Sequence, residues 1–405
     1  MKNMSDITFL QDMVSKSAEA KRQILRLCII NGPFSIADLS KDMNTSVPTI
    51  TKLISELMRD GLIRDLGKHG TSGGRRPSIF GLDAKAGHFL GVDVGSKDFK
   101  IAVTDFNGEE VLFTDSIPFV LEASAESLKE ICRIIREEVT KAGIEWESVL
   151  EAGISLSGRV NPEEGYSLTY SVSDDFPLKT IFQNELHVPV IIENDSRAMT
   201  YGEYLAGNNE SAEKNMLFIN ISWGLGMGMI LDGNLYYGKS GFSGEIGHFP
   251  LLNNGKICRC GKMGCLETGA SGSALYHMIK DELAAGRNSS LSKKFKSGEK
   301  LHLNDVLEAV KEEDVLAIEG IETVGETLGR CIAGLINVFN PGQVIIGGRL
   351  AVGGKYLLYS IKSAVNKYSL IRVSSDTKIR FSTLGAKAAA TGACLIARSR
   401  LLGLM

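Results

Sequence analysis

The sequence predicts an α/β protein in which an N-terminal winged helix-turn-helix is followed by a duplicated, two-lobed α/β body. Three observations support this prediction. Residues 1–82 have the pattern of helices followed by two short strands, and from residue 88 apolar strands alternate with helices. In the body, two segments that begin at Gly91 and Phe218 each have the pattern of strand, glycine-containing tight turn and strand.

The composition is that of a folded globular chain. Of its 405 residues, 43% are hydrophobic and 23% are charged, and the length suits roughly two to four domains. No run approaches ~20 consecutive apolar residues, so we expect no membrane span. The first residues include acidic side chains and lack a long apolar stretch, so we expect no secretory signal and a cytoplasmic location.

Changes of pattern divide the chain into three predicted domains. Residues 1–82 would form the DNA-binding winged helix-turn-helix. Residues 88–195, together with 380–405, would form the first α/β lobe. Residues 196–379 would form the second α/β lobe, which carries a cysteine motif and is expected to supply the oligomerisation surface.

The first domain has the element order of a winged helix-turn-helix. A helix is expected over residues 16–30, and Ser35 and Ser46 are placed to cap the two helices that follow. Strands at 62–66 and 78–82 would form the wing, and the loop between them is rich in glycine and basic residues. The helix over residues 46–60 would therefore be the recognition helix.

The charge distribution favours DNA as the partner of this domain. Residues 1–80 hold 12 Lys and Arg against 8 Asp and Glu, whereas the rest of the chain holds 33 against 40. Short hydroxyls and a lysine on the helix suit base edges and phosphates, and basic wing residues suit a narrow groove. The candidate DNA-binding residues are Thr45, Ser46, Thr49, Thr51, Lys52, Lys68, Arg75 and Arg76. The alternative is a winged helix that serves protein contacts.

Three cysteines within eight residues predict a metal site. Cys258, Cys260 and Cys265 lie among glycines in the segment CRCGKMGCLE, and His248 lies ten residues upstream of the first. Three thiolates and one imidazole suit Zn²⁺, and a closed set of four ligands would make the ion structural. The alternative is a group of buried cysteines without a metal.

The same region carries a family resemblance. GEIGH at residues 244–248, followed by CxCGxxGCxE, resembles the ROK family, which is named for repressors, open reading frames and kinases. The resemblance extends over nearly the whole chain, including IENDSRA at 192–198, both glycine turns and NPGQVIIGG at 340–348. It implies an actin-like/RNase H-like (ASKHA) body and, with the winged helix, a sugar-responsive repressor that binds double-stranded operator DNA as a homodimer or homotetramer.

The resemblance also implies a sugar site. By match to the sugar kinases of the family, the sugar-binding residues would be Asn194, Asp195, Glu245, His248 and Glu267. Carboxylates and an amide can pair with vicinal hydroxyls, and a zinc-bound histidine retains a second ring nitrogen for a hydroxyl. A helix N-cap is a second interpretation of Asn194 and Asp195, compatible with the first. The loop over residues 157–159 is interpreted equally well as a loop that flanks the sugar or as a plain turn.

The sequence departs from the kinases at both phosphate turns. Asp195 matches their catalytic base and would act only if kinase activity is retained. Ser96 and Lys97 replace a glycine and a threonine of the first turn, although Lys97 could still attract a phosphate, and Trp223 replaces a threonine of the second. The remnants of a nucleotide site would be Asp93, Gly95, Gly224, Gly226, Gly347 and Gly348. We therefore expect neither ATP nor Mg²⁺ to be used.

Together these features predict a sugar-responsive, DNA-binding transcriptional regulator, most simply a repressor of genes for carbohydrate uptake or catabolism. Sugar binding between the lobes would change the spacing of two winged helices in a dimer. Two alternatives stay open. One is an ATP-dependent sugar kinase with an added DNA-binding domain, and the other is a repressor controlled by a protein partner.

Overall fold

Two compact units make up the chain. The computed structural model describes residues 15–68, 77–170, 177–207 and 213–405. The first unit comprises Met1–Asp195 and Ala389–Met405, and the second comprises Ser196–Ala388. Among the helices of the described residues, none is long and apolar enough to cross a membrane.

The first unit begins with a winged helix-turn-helix. Its elements are α1 (Lys16–Asn31), β1 (Phe34–Ser35), α2 (Ile36–Asp42), α3 (Val47–Arg59), β2 (Ile63–Lys68) and β3 (Ser78–Leu82). Ser35 and Ser46 cap α2 and α3 as predicted, because each hydroxyl accepts the backbone N–H three residues later. The apolar face of α3 buries Ile50, Ile54 and Leu57 in the core of this domain. The described strands pair in the order β1-β3-β2.

An α/β lobe follows in the same unit. Its elements are β4 (His88–Val94), β5 (Asp98–Asp105), β6 (Glu110–Pro118), α4 (Ala125–Lys141), β7 (Val149–Leu156), β8 (Val160–Asn161), β9 (Tyr166–Ser167), α5 (Leu178–Leu186) and β10 (Val190–Asn194). The sheet order is β10-β7-β4-β5-β6. Strands β4, β7 and β10 are parallel, and Val94, Leu156 and Asn194 lie in register. These three strands therefore end at one edge of the sheet.

The second unit repeats this plan. Its elements are α6 (Asp195–Ala206), β11 (Met216–Ile221), β12 (Leu225–Leu231), β13 (Asn234–Leu235), α7 (Gly272–Ala284), α8 (Ser292–Lys296), α9 (Leu303–Lys311), α10 (Val315–Phe339), β14 (Gln343–Gly347), α11 (Gly354–Tyr368), α12 (Ile371–Ser374) and β15 (Lys378–Phe381). The sheet order is β13-β12-β11-β14-β15, and β11, β14 and β15 are parallel. Apolar side chains of this sheet and of α7, α9, α10 and α11 form its core.

The two sheets correspond strand for strand, which confirms the predicted duplication. In each sheet, an antiparallel hairpin is followed by two further strands parallel to the first strand of the hairpin: β4-β5 corresponds to β11-β12. One predicted boundary differs from the structure. Residues 380–388 were assigned to the first lobe, but β15 pairs in parallel with β14 and completes the second sheet, so the chain returns to the first unit only at Ala389.

The last helix, α13 (Ala388–Leu401), packs against the sheet of the first unit with its backbone. A Cβ on Gly91 would lie 2.0 Å from the Ala390 carbonyl oxygen, and one on Gly153 would lie 2.2 Å from that of Ala393. Only glycine permits such an approach of helix to strand. Beyond α13, the Leu404 carbonyl accepts a hydrogen bond from the Arg26 guanidinium of α1 at 3.3 Å. The end of the chain thus connects the lobe to the winged helix-turn-helix.

Gly153→Ala is expected to destabilise the protein. The added methyl meets backbone atoms, which cannot swing aside, so we expect a loss of about 1–3 kcal/mol in the free energy of unfolding. Thermal unfolding followed by circular dichroism measures it. Gly334→Ala is the matched control, because Gly334 is an exposed glycine of α10 with no atom within 4 Å of the added carbon. Equal melting temperatures for Gly153→Ala and the unmutated chain would contradict this account of the packing.

Candidate functional site

The strand ends of the first unit bring polar residues together at one edge of its sheet. The Asn194 side-chain amide donates to the Gly158 carbonyl at 2.8 Å and to Asp195 Oδ1 at 2.9 Å. Gly158 belongs to the loop after β7, and Asp195 is the first residue of α6. The predicted sugar-binding pair, Asn194 and Asp195, therefore lies beside the loop over residues 157–159.

Asp93 lies near the end of β4, on the neighbouring strand. Ser155 Oγ donates a hydrogen bond to Asp93 Oδ1 at 3.1 Å. Burial, reinforced by the negative charge of Asp195, raises the pKa of Asp93 from 3.8 to about 6. At neutral pH this edge of the sheet therefore carries a carboxylate in an unfavourable environment, and such groups concentrate at functional sites.

The first glycine turn is a tight hairpin between β4 and β5. The Gly95 N–H donates to the Asp98 carbonyl at 2.9 Å, so this backbone donor is used inside the turn. A Cβ on Gly95 would lie 2.9 Å from the same oxygen, which explains the glycine. Ser96 and Lys97, the residues that depart from the kinase pattern, are exposed at the tip.

Glu267 holds the second glycine turn, which connects β11 to β12. Glu267 Oε2 accepts the Leu225 N–H at 3.1 Å, and a Cβ on Gly224 would lie 2.8 Å from that oxygen. The other carboxylate oxygen lies 3.6 Å from the Arg259 guanidinium. This predicted sugar ligand thus already has two protein partners within its own unit.

Trp223 lies at the tip of the second turn and is 42% exposed. Its ring packs against Tyr276 of α7, with 5.7 Å between ring centroids. The carbonyls of Ser222 and Trp223 accept the N–H groups of Gly272 and Ser273 at 2.8 and 3.0 Å. Backbone donors at the start of a helix can bind an anion, but these two are directed at the turn instead.

The other glycines predicted as remnants of a nucleotide site have packing roles. A Cβ on Gly226 would lie 2.5 Å from Ser196 Oγ, and one on Gly347 would lie 2.2 Å from the Phe218 ring. Gly348 has a φ of +83°, a conformation that favours glycine. Their presence is explained without a nucleotide.

The structure brings the four predicted metal ligands together. One donor atom from each of His248, Cys258, Cys260 and Cys265 lies within 4.8 Å of all the others. Cys258 Sγ lies 3.7 Å from His248 Nδ1, and Cys260 Sγ lies 3.6 Å from Cys265 Sγ. Tetrahedral zinc with Zn–S bonds of about 2.3 Å separates its ligand atoms by about 3.8 Å, so the cluster has the spacing of a metal site.

Glycines shape the loop that carries the cysteines. Gly261 has a φ of +82° and Gly264 a φ of +72°, and a Cβ on Gly264 would lie 2.2 Å from the Leu252 carbonyl oxygen. The short helix after Cys265, Leu266–Thr268, then positions Glu267. Glu267, which holds the second glycine turn, is therefore only two residues from Cys265 of the cysteine cluster along the chain.

His248 connects the cluster to Glu245. Glu245 immediately precedes the short helix Ile246–His248, and His248 is the last residue of that helix. His248 Nδ1 faces Cys258, whereas Nε2 lies 3.7 Å from the Glu245 carboxylate. One imidazole thus contacts the cysteines with one nitrogen and a predicted sugar ligand with the other, the arrangement by which an outer partner orients a metal ligand.

The candidate DNA-binding residues of the helix lie on the surface. Ser46, Thr49, Thr51 and Lys52 are exposed at the start of α3, and Thr45, just before it, is partly exposed. On the wing, the structure describes only the backbone of Lys68, the last residue of β2, and Arg75 and Arg76 lie outside the described residues. The helix therefore presents its predicted residues to a partner.

Two neighbours of the site were missed by sequence reasoning. Ser155 donates to Asp93, and Arg259 lies beside Glu267. The position of Arg259 between Cys258 and Cys260 was a usable signal, since the loop that forms the cysteine cluster must also bring Arg259 to it. No spacing pattern links Ser155 to Asp93, because the strands that carry them pair across about sixty residues of chain.

Comparison with known proteins places these features in a family. Residues 89–400 match the ROK family. The chain belongs to the ROK family. The predicted resemblance and the predicted two-lobed actin-like fold are thereby confirmed.

Three relatives illustrate the range of the similarity. A solved ROK family transcriptional regulator, described as a homolog of the Escherichia coli Mlc protein, has a TM-score of 0.80 and 30% identity, covering 96% of this chain and 97% of that chain. The xylose repressor of Bacillus subtilis is 29% identical over 392 residues, 96% of each chain. A ROK family glucokinase from Streptomyces griseus, solved with glucose and AMPPNP, has a TM-score of 0.64 and 26% identity, covering 77% of this chain and all of that one. Similarity to the regulators thus extends over nearly the whole chain.

Asp93→Asn is expected to stabilise the protein, and to do so more at high pH than at low pH. With its pKa raised in the folded state, the carboxyl favours folding below pH 4, and this contribution is lost between about pH 4 and 6. Asparagine carries no charge and can still accept the Ser155 hydrogen bond. We therefore expect a gain on the order of 1–3 kcal/mol at pH 8 and a smaller gain at pH 5.

Melting temperatures at the two pH values measure this difference. Asp376→Asn serves as a control, because Asp376 is exposed. A gain for Asp93→Asn that is the same at pH 5 and pH 8 would show that its ionisation is not the cause.

Proposed function

We propose that the chain is a sugar-responsive transcriptional repressor that binds double-stranded operator DNA. The observation that carries the proposal is a winged helix-turn-helix with an exposed α3, joined to a ROK body that is similar to regulators over nearly the whole chain. Its ligand would be chromosomal DNA, so we place it in the cytoplasm as a homodimer on two half-sites. The DNA-contacting residues would be Thr45, Ser46, Thr49, Thr51, Lys52, Lys68, Arg75 and Arg76.

The effector in this proposal is a sugar or a sugar derivative. Its hydroxyls would bond to Asn194, Asp195, Glu245, His248 and Glu267. The related glucokinase was solved with glucose, which supports a sugar ligand for this family's body. A sugar controls DNA binding only to the extent that it binds the DNA-free state more tightly than the DNA-bound state. Within the first unit, α13 offers a packed connection from the lobe to α1.

We propose further that the body does not transfer phosphate. Phosphoryl transfer depends on backbone donors and small hydroxyls that cradle the phosphates. The Gly95 N–H is used inside its own turn, the N–H groups that begin α7 are directed at turn carbonyls, and an indole stands at the second turn. These features support a ligand-binding role for a fold that its relatives also use for catalysis.

We propose that the cysteine cluster holds one structural Zn²⁺. Its ligands would be His248, Cys258, Cys260 and Cys265, whose donor spacing fits a tetrahedral ion. The ion would fix the loop that positions Glu267 and would orient His248 toward Glu245. It would act on the sugar only through these residues.

Cys260→Ser is expected to lose zinc. Removing one of four ligands from a closed site lowers metal affinity steeply and leaves the loop without its anchor, so the zinc content should fall well below one ion per chain. Mass spectrometry of the metal content measures the first effect and thermal unfolding the second. Lys262→Ala, an exposed change in the same loop, should keep both values. A purified chain that holds no zinc, and whose melting temperature zinc does not raise, would refute the metal assignment.

Glu245→Ala is expected to move the sugar response to much higher sugar concentrations and leave operator binding intact. A hydrogen bond to a charged group contributes about 1.5–3 kcal/mol, so sugar affinity should fall about tenfold to a hundredfold. Operator affinity measured against sugar concentration reports both quantities in one titration. Glu322→Ala, an exposed change on α10, is the control and should leave the sugar concentration of the half-maximal response unchanged.

Two results would overturn parts of this proposal. If Glu245→Ala responds to the same sugar concentration as the unmutated chain, the sugar binds elsewhere. Sugar-dependent release of ADP from ATP that is lost in Asp195→Asn would establish the kinase alternative, because that carboxylate matches the family's catalytic base.

A further inference from the structure

The exposed residues in the first turns of α3 are mostly small. Ile50, Leu53, Ile54 and Leu57 are buried in the domain core. The residues exposed over its first turns and at its cap are Ser46, Val47, Pro48, Thr49, Thr51, Lys52 and Ser55. From residue 45 to 55 the sequence has no Arg, Asn, Gln, Asp or Glu.

Most of the hydroxyl hydrogens on this face are already donated within the helix. Thr51 donates to the Val47 carbonyl and Ser55 to the Thr51 carbonyl, each at 2.8 Å. Ser46 and Thr49 share a hydrogen bond between their hydroxyls at 2.9 Å, so one of those two hydrogens is also used. A hydroxyl has a single hydrogen, and at most one of these four groups can therefore donate to a base.

The other groups that this face of α3 exposes to a base are mainly methyl groups. Val47 is 51% exposed at the first position of α3 and contributes two methyls, and Thr49 and Thr51 contribute one each. Side chains that read adenine and guanine do so with paired hydrogen bonds from Asn, Gln, Arg or Lys, and only Lys52 is of that kind here. Thymine differs from the other bases by a C5-methyl group in the major groove, which apolar groups contact.

We propose that α3 recognises thymines in its half-site through their C5-methyl groups, with Val47 as the principal contact. The inference rests on the proposed function, since it names what the DNA-binding helix reads. It assigns a specificity role to Val47, which sequence reasoning had not selected. Lys52 would then contact a phosphate or a guanine.

Deoxyuridine, which is thymine without the methyl, tests the inference directly. The full-length chain would first select its operator from a random-sequence duplex pool. Each thymine of one half-site would then be replaced by deoxyuridine, and the affinity measured by fluorescence anisotropy at fixed salt. Losing one buried methyl contact should weaken binding about threefold to fourfold at one or more positions.

Variants assign the effect to a residue. In Val47→Ala, the thymine and deoxyuridine operators should bind with nearly equal affinity at the positions that Val47 contacts. Met58→Ala is the matched control: Met58 is 39% exposed on the last turn of the same helix, far from its first turn, and its loss should leave the penalty unchanged.

Three outcomes would overturn the inference. If an operator is enriched but no deoxyuridine changes its affinity by twofold, thymine methyls are not read, while the repressor function stands. If the penalty is present and unchanged in Val47→Ala, the assignment to Val47 is wrong. If no sequence is enriched at all, the proposed DNA-binding function fails and the inference fails with it.

Discussion

The contacts of the Glu267 carboxylate connect the second glycine turn to the cysteine cluster, and the proposed sugar site of the second unit depends on them. The carboxylate accepts the Leu225 N–H, fills the space beside Gly224 and lies next to the Arg259 guanidinium. Its position follows from Cys265, two residues earlier, which belongs to the cysteine cluster. A metal that closes this cluster would therefore also help to set the shape of the second glycine turn, through Glu267.

The same body can serve catalysis or regulation, and local differences decide between them. A kinase needs its turns open to phosphates, because its rate comes from backbone donors positioned around them. In this chain the Gly95 N–H of the first turn and the Leu225 N–H of the second are bonded within the protein, and Trp223 stands where a small hydroxyl would be expected. The hydrogen bonds of the Asn194 side chain to Asp195 and to the Gly158 carbonyl involve no residue of either changed turn.

Much of the fold could be predicted from the sequence because its signals are local. Ser35 and Ser46 cap helices where the sequence placed them, and the similar hairpins indicated a duplication before the sheets were known. The sequence predicted that His248, Cys258, Cys260 and Cys265 lie together, because the ten-residue spacing and the short glycine-rich gaps limit how far apart they can be.

The remaining features depend on contacts between distant parts of the chain. Glu267 lies 42 residues from the N–H it holds, and Gly153 is explained only by a helix about 240 residues later. The boundary at residue 380 was wrong for the same reason: the short strand β15, Lys378–Phe381, gains its place in the second sheet by pairing with β14. The hydroxyl bonds along α3 are invisible in its sequence, although they determine which groups it can offer to DNA.

The most direct test of the central claim is fluorescence anisotropy of the full-length chain on its selected operator, titrated with a panel of sugars and sugar phosphates at stated salt. The account predicts sequence-specific binding and one sugar that changes the operator affinity in a saturable manner, with no effect from the others at the same concentration. Binding no tighter to the selected sequence than to random DNA would contradict the claim that the chain is a repressor. Specific binding that no sugar alters would contradict the claim that a sugar controls it.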